Sequence, residues 1–135
     1  GTVFALTGSL SWLDFFVGLP IGLLTTAILW INQFPDLEAD AMTGKTNLVV
    51  VFGRRRARWG YLLLMVAAFG SALLGALLGY LPYSALLMLA GLPLAFYTTR
   101  LLFQHYGERT LIKANSNTIL LHLVCGLLLI VGLYV

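Results

Sequence analysis

Between Asn32 and Arg58 the chain reads NQFPDLEADAMTGKTNLVVVFGRRRAR, and three of its five carboxylates, Asp36, Glu38 and Asp40, fall within five positions there. Lys45, Arg54, Arg55, Arg56 and Arg58 follow. In a helix carried past Ile31, Asn32, Asp36 and Asp40 are spaced i, i+4, i+8 and share one face, while Glu38 points elsewhere. Like charges at that spacing repel, more strongly near a low-dielectric boundary, and a cation relieves the repulsion. Such oxygen donors suit a hard ion, and Mg²⁺ is commonly held by one or two carboxylates with substrate phosphates and water. Lys45 and the arginines suit the remaining charge of a diphosphate. Thr43 and Gly44 form a break between the acidic and basic halves. Pro35 lacks an N–H and opens or kinks the helix there. The plainer reading is a solvated loop with acids at a helix end and arginines that set topology. The residues alone leave both readings open.

The elements that must position this segment are membrane helices. The 135 residues are 60% hydrophobic and only 10% charged, with mean hydropathy +0.94. A soluble domain carries about 25% charged residues, so this chain cannot cover a water-facing surface and reads as an integral membrane protein. The net charge of +3 does not indicate nucleic acid, because the basic residues lie in gaps between apolar runs, where they report topology. Four runs are long enough to cross a bilayer: 15–31, 59–81, a shorter 83–99, and 114–135. They are continuous rather than alternating, which indicates helices in an all-α, multi-span bundle. Residues 1–10 read as the frayed end of an earlier span. Gly75 and Gly79 form a GxxxG, which lets helix backbones approach. Pro20 and Pro93 fall inside spans and are expected to kink them. Cys125, the single cysteine, lies in an apolar run and reads as a small buried side chain.

Basic and neutral connections alternate. Segments 32–58 and 100–113 hold all the lysines and arginines, whereas the turn around Pro82 is uncharged. The positive-inside rule makes the two basic segments cytoplasmic loops. Trp12, Trp30, Trp59, Tyr80, Tyr83 and Tyr134 fall near span ends, as an aromatic belt requires. Topology accounts for the arginines but not for the acids, since Asp and Glu contribute little to orientation. A transporter fragment in which Asp36 and Asp40 bind a coupling ion would place them near the midplane. Here they lie at a span end beside arginines. A structural subunit with no site would leave the acids without a role.

NQFPDLEADAMTGKTNLVVVFG resembles the second aspartate-rich motif of the UbiA-type intramembrane aromatic prenyltransferases, Asn-x-x-x-Asp-x-x-x-Asp-x-x-x-Gly-Lys followed by an apolar stretch ending in Gly. Asn32, Asp36, Asp40, Gly44, Lys45 and Gly53 match it. The form PDLEAD…GKTNLVVVFGRR is most similar to the branch that prenylates 1,4-dihydroxy-2-naphthoate in menaquinone synthesis. Acceptors in the superfamily also include 4-hydroxybenzoate, homogentisate, tetrapyrroles and lipids.

The resemblance implies a nine-helix bundle in a prokaryotic plasma or inner membrane, with its active site toward the cytoplasm. This chain would supply the last four helices, as the C-terminal half of the domain. The first aspartate-rich motif is absent, and Asp14 stands alone. The chain begins with Gly1, which also fits a piece of a longer protein. The missing N-terminal half is therefore an expected partner, and the 135 residues alone are expected not to catalyse.

The implied reaction joins a polyprenyl diphosphate to an aromatic acceptor with Mg²⁺ as cofactor. The metal neutralises the diphosphate, the ring attacks the allylic cation, and dihydroxynaphthoate loses its carboxylate as CO₂. An enclosed apolar cavity would keep water from the cation. The match assigns Asp36 and Asp40 to metal binding and catalysis, with Asn32 as an auxiliary ligand or orienter. Lys45, Arg54 and Arg55 are the diphosphate candidates, while Arg56 and Arg58 read as topogenic. Asn115, Asn117 and His122 enter the last span as polar groups, and such residues are functional candidates by default. They are candidates for contact with the aromatic substrate, and His122 also for proton removal. The competing reading of His122 is a hydrogen bond to a neighbouring helix.

Overall fold

Inside a bilayer only a helix satisfies every backbone N–H and C=O within its own segment. A computed structural model follows that rule. It describes residues 2–107 and 111–135, and all regular structure among them is helical. In chain order the α-helices are α1 (Thr2–Thr7), α2 (Trp12–Asn32), α3 (Leu37–Met42), α4 (Leu48–Phe52), α5 (Arg54–Leu77), α6 (Leu92–His105) and α7 (Leu111–Tyr134). A 3₁₀ helix, Tyr83–Gly91, runs directly into α6. Four helical stretches are long and apolar enough to cross a membrane: α2, α5, the combined Tyr83–His105 and α7.

The helix ends follow local chemistry. α2 starts at Trp12, ahead of the expected 15, because Ser11 and Asp14 form a capping box. The Ser11 backbone N–H donates to Asp14 Oδ2 at 2.8 Å, and the Ser11 hydroxyl donates to the same oxygen at 2.6 Å. Asp14, isolated in the sequence, is thus a helix cap. α2 continues through Pro20 without a break. The segment 32–58, expected as one loop, instead holds α3, α4 and the first turn of α5, so all four clustered arginines lie on a helix. Gly75 packs closely, since an added Cβ would lie 2.9 Å from both Leu81 Cδ1 and Phe16 Cδ1. Gly79, its expected GxxxG partner, lies beyond the end of α5 at φ +74° and terminates the helix.

The third span departs most from expectation. Runs of 3₁₀ helix beyond about four residues are uncommon, yet this one has nine. Two contacts coincide with it. Ser84 Oγ donates to the Gly132 carbonyl on α7 at 2.5 Å, and a Cβ on Gly132 would overlap the Ser84 backbone. Pro93 lies in the first turn of α6 and withholds an N–H from the carbonyls of the 3₁₀ helix just before it. It marks the join between the two helix types.

Packing joins α2 to α5 and α7, and α7 to the 3₁₀ helix and α6. Trp30, expected in an interfacial belt, instead donates its indole N–H to the Ala57 carbonyl at 2.9 Å, and its ring covers Gly60. Tyr61 on α5 and Thr118 on α7 share a fully buried hydrogen bond of 2.8 Å. Lipid tails are as apolar as leucine, so close packing and such bonds, at about 0.6–2 kcal/mol each, hold membrane helices together. Cys125 is buried and faces Gly91 and Met88. Consecutive spans run antiparallel. The ends at Asn32, Arg54, His105 and Leu111 therefore meet at one end of the bundle, which carries every described Lys and Arg. Arg109, counted with the basic loop 100–113, lies outside the described residues.

Candidate functional site

Pro35 decides how the charged segment leaves the bundle. A helix continuing past Ile31 would need an N–H at Pro35 to reach the Ile31 carbonyl, and proline has none. The chain tightens instead: Gln33 N–H reaches Trp30 O at 3.3 Å and Phe34 N–H reaches Ile31 O at 3.2 Å. α2 ends at Asn32, so Asn32 does not share a continuous helix with the two aspartates. The expected single face is split in two. At the start of α3, which Asp36 precedes as its N-cap, the aspartates keep their relation, because Asp40 N–H donates to the Asp36 carbonyl at 2.8 Å. One turn separates them on one side of the helix.

The two carboxylates differ in surroundings. Asp36 is exposed, and its side chain has no hydrogen-bond partner among the described residues. Asp40 is half-buried and held twice, by Asn47 Nδ2 at 2.8 Å and by Lys45 Nζ at 3.4 Å. Gly44 makes the second contact possible. At φ +74° it lets the Lys45 N–H return to the Asp40 carbonyl at 2.9 Å and its own N–H to Ala41 O at 3.3 Å. That is a Schellman close, and an L-residue other than Asn or Asp there costs about 1–2 kcal/mol. The Gly-Lys pair of the motif is thus a mechanical unit: the glycine folds the lysine back over the aspartate.

Asn47 was not singled out by sequence reading. Its Oδ1 accepts from Val50 N–H at 2.8 Å, starting α4, while its amide donates to Asp40. The signal was present, since Asn immediately before the apolar run LVVVF is a helix-start pattern. Gly53 then joins α4 to α5 with φ 72° and ψ 152°, a region essentially reserved for glycine.

The arginines separate by role. Arg54 turns inward, donating from Nε to the Phe34 carbonyl at 3.0 Å and from Nη1 to Glu38 Oε1 at 2.8 Å. Glu38 is solvent-facing, as its position implied, but it is ion-paired. Arg55 and Arg56 are exposed with no partner among the described residues. Arg58, expected as topogenic, ties α5 to the end of α6. Its Nη1 donates to Phe103 O at 3.2 Å, and its guanidinium lies 4.8 Å and 4.9 Å from the Phe103 and Tyr106 ring centres.

A double-mutant cycle on Glu38 and Arg54, read by thermal unfolding, should give a coupling of no more than about 1 kcal/mol, because the pair is largely exposed on the Glu38 side. Arg54→Ala should cost more than Glu38→Ala, since it also removes the donor to Phe34 O. Equal single-mutant costs would contradict this division.

Two polar pairs connect α2 and α7. Asn115 Nδ2 donates to Asn32 Oδ1 at 3.0 Å, and Thr25 Oγ1 meets His122 Nε2 at 3.1 Å. The pairs are seven residues apart on each helix, running in opposite directions. That is about two turns, the register of an antiparallel contact. Thr25 was missed, because nothing local marks one threonine in an apolar run as a partner of a residue on the last helix. His122 makes the inter-helix bond that was its competing reading. Asn115 Oδ1 is buried without a partner among the described residues. Asn117 lies about 200° around α7 from Asn115 and makes no hydrogen bond through its side chain among the described residues, so it does not join this row.

Among the described residues no three His, Cys, Asp or Glu side chains converge as a metal-binding group. The acidic element here is a pair, one open and one braced, beside a lysine at the charged end of a membrane bundle. No curated protein and no solved structure matches the chain. A family model described as the UbiA prenyltransferase family, whose members transfer polyprenyl groups to aromatic acceptors, matches residues 1–124, and the chain belongs to that family.

Proposed function

We propose that this chain is the C-terminal half of a Mg²⁺-dependent enzyme that transfers a polyprenyl group from its diphosphate to 1,4-dihydroxy-2-naphthoate. The observation that carries the reading is the Asp36–Asp40 turn, with the Asp36 carboxylate open and Lys45 folded back beside Asp40. Two carboxylates are too few for a closed metal site, but they fit Mg²⁺, which takes one or two and completes its shell with substrate phosphate and water. When bound, Mg²⁺ supplies Lewis-acid neutralisation of the diphosphate leaving group.

The chain's own residues do the rest. Asp36 and Asp40 hold the ion, and Asn47 keeps Asp40 aimed. Lys45 and the exposed Arg55 take phosphate oxygens, whereas Arg54 braces α3 against α5 through Nε and Nη1 and keeps its Nη2 donors for phosphate. Asn32 orients through Asn115 rather than through the aspartates. On the α2–α7 face, Asn115 contacts the acceptor, its buried Oδ1 reaching a ring hydroxyl once the amide turns outward, and His122 lies two turns deeper. The basic end faces the cytoplasm of a prokaryotic cell, and the remaining helices, with the first aspartate-rich motif, close the cavity.

The test is turnover by the full-length protein with polyprenyl diphosphate and either dihydroxynaphthoate or 4-hydroxybenzoate. Prenylation of dihydroxynaphthoate with CO₂ release, stopped by chelator, is expected, and the 135-residue chain alone should give none. Turnover of 4-hydroxybenzoate instead would move the acceptor to the other branch. Chelator-resistant transfer would remove the metal from the site.

A further inference from the structure

A cavity lies on the other side of α5. Between α5 and α6 runs an apolar groove of about 480 Å³, lined along its length by Trp59, Leu62, Val66, Phe96 and Thr99, with Arg100 at one end. Residues on α5 follow at about 100° each, so Trp59 lies about 200° from both Ala57 and Tyr61. Those two residues face α2 and α7. The groove therefore opens away from the polar α2–α7 row.

Its dimensions match one leaflet. From Trp59 to Phe69 along α5, and from Leu92 to Phe103 along α6, the lining covers about 15 Å. The hydrocarbon core of a bilayer is about 30 Å thick. The groove starts near mid-span and ends at the charged end of the bundle, where an indole and a guanidinium would meet the interface. Arg100 also lines a separate hollow of about 190 Å³ with Tyr97, Leu101 and Gln104. It is exposed and has no hydrogen bond or ion pair with any described residue. A cation with no partner among the described residues thus stands between an apolar channel of acyl-chain length and a smaller, more polar pocket.

We propose that this surface binds an anionic phospholipid, with one acyl chain in the α5–α6 groove and its phosphate on Arg100 and Gln104. The charge selects the headgroup, and the one-leaflet length selects a membrane lipid over a longer polyprenyl chain. The site is separate from the aspartate pair and does not rest on the transferase reading.

In the test, full-length protein is purified in mild detergent, stripped of lipid, and offered equal phosphatidylglycerol and phosphatidylcholine before native mass spectrometry. Phosphatidylglycerol should be retained about fivefold over phosphatidylcholine, the preference one basic side chain contributes toward anionic lipid. Arg100→Lys should keep that preference and Arg100→Gln should lose it. Thr99→Trp, whose indole fills the groove, should lower retention of both lipids and keeps the test decisive if Arg100→Gln fails to fold. Equal retention of the two lipids, or unchanged retention in Thr99→Trp, overturns the proposal. So does displacement of bound lipid by added polyprenyl diphosphate, which would make the groove a substrate channel. No retained lipid at all overturns it too, as expected if other helices of the full-length protein cover the groove.

Discussion

Asp36→Ala in the full-length protein should lower kcat by about 10²–10³-fold, the effect of losing several kcal/mol of charge stabilisation at a metal-assisted leaving group. Its thermal unfolding should stay within about 0.5 kcal/mol of the parent, the usual range for a surface change away from any structural feature. The contrast follows from the structure. The Asp36 side chain is exposed and bonds to no described residue, so removing it takes nothing from the fold. Asp40→Ala is a less informative change, because it also frees Asn47 and Lys45. Prenyl transfer measured across a Mg²⁺ titration gives the answer. Unchanged turnover with unchanged Mg²⁺ dependence in Asp36→Ala would remove the aspartate pair from catalysis.

Gly53→Val should destabilise the protein by about 1–3 kcal/mol through backbone strain alone. Gly53 has φ 72° and ψ 152°, and a Cβ there would meet nothing within 4 Å. Crowding therefore plays no part. Relaxing the strain would turn the start of α5 and pull Arg54 from Phe34 and Glu38, loosening α3 and the aspartates it carries. Activity should fall along with stability. Gly126→Ala is the control: Gly126 is helical with ordinary φ and equally open space, and alanine there should be neutral or slightly stabilising. Thermal unfolding of both variants in detergent decides the matter. If Gly53→Val melts with the parent, the strained joint is not what holds α4 to α5.

The helices were legible because bilayer thickness and apolar run length leave little choice. The acidic segment was legible as a site because its charges sit where topology has no use for them. The single face through Asn32, Asp36 and Asp40 needed a continuous helix, and Pro35, itself legible as a break, removed it by withholding one N–H. What escaped depended on other elements. Glu38 and Arg54 are sixteen residues apart and Arg58 and Phe103 forty-five, so no local pattern pairs them. Thr25 and His122 are ninety-seven apart. Gly79 matched a packing motif but ends a helix, because the same residue type serves both purposes. Asn47 was the one miss with a local signal, hidden because its apolar run had been read as part of a motif rather than as a helix start.

The 3₁₀ winding of Tyr83–Gly91 has a consequence for phase. Each residue turns about 120° in a 3₁₀ helix and about 100° in an α-helix, so nine residues accumulate about half a revolution of difference. Had that stretch been α-helical, α6 would meet its neighbours rotated by that amount. Phe96 and Arg100 would point inward, and Ala95, Thr98 and Leu102, which are now buried, would face lipid. The segment would also shorten by about 4.5 Å. The side of α6 that meets the bundle at the charged end is thus dialled in at the opposite end of the span, where the Ser84 backbone rests on Gly132.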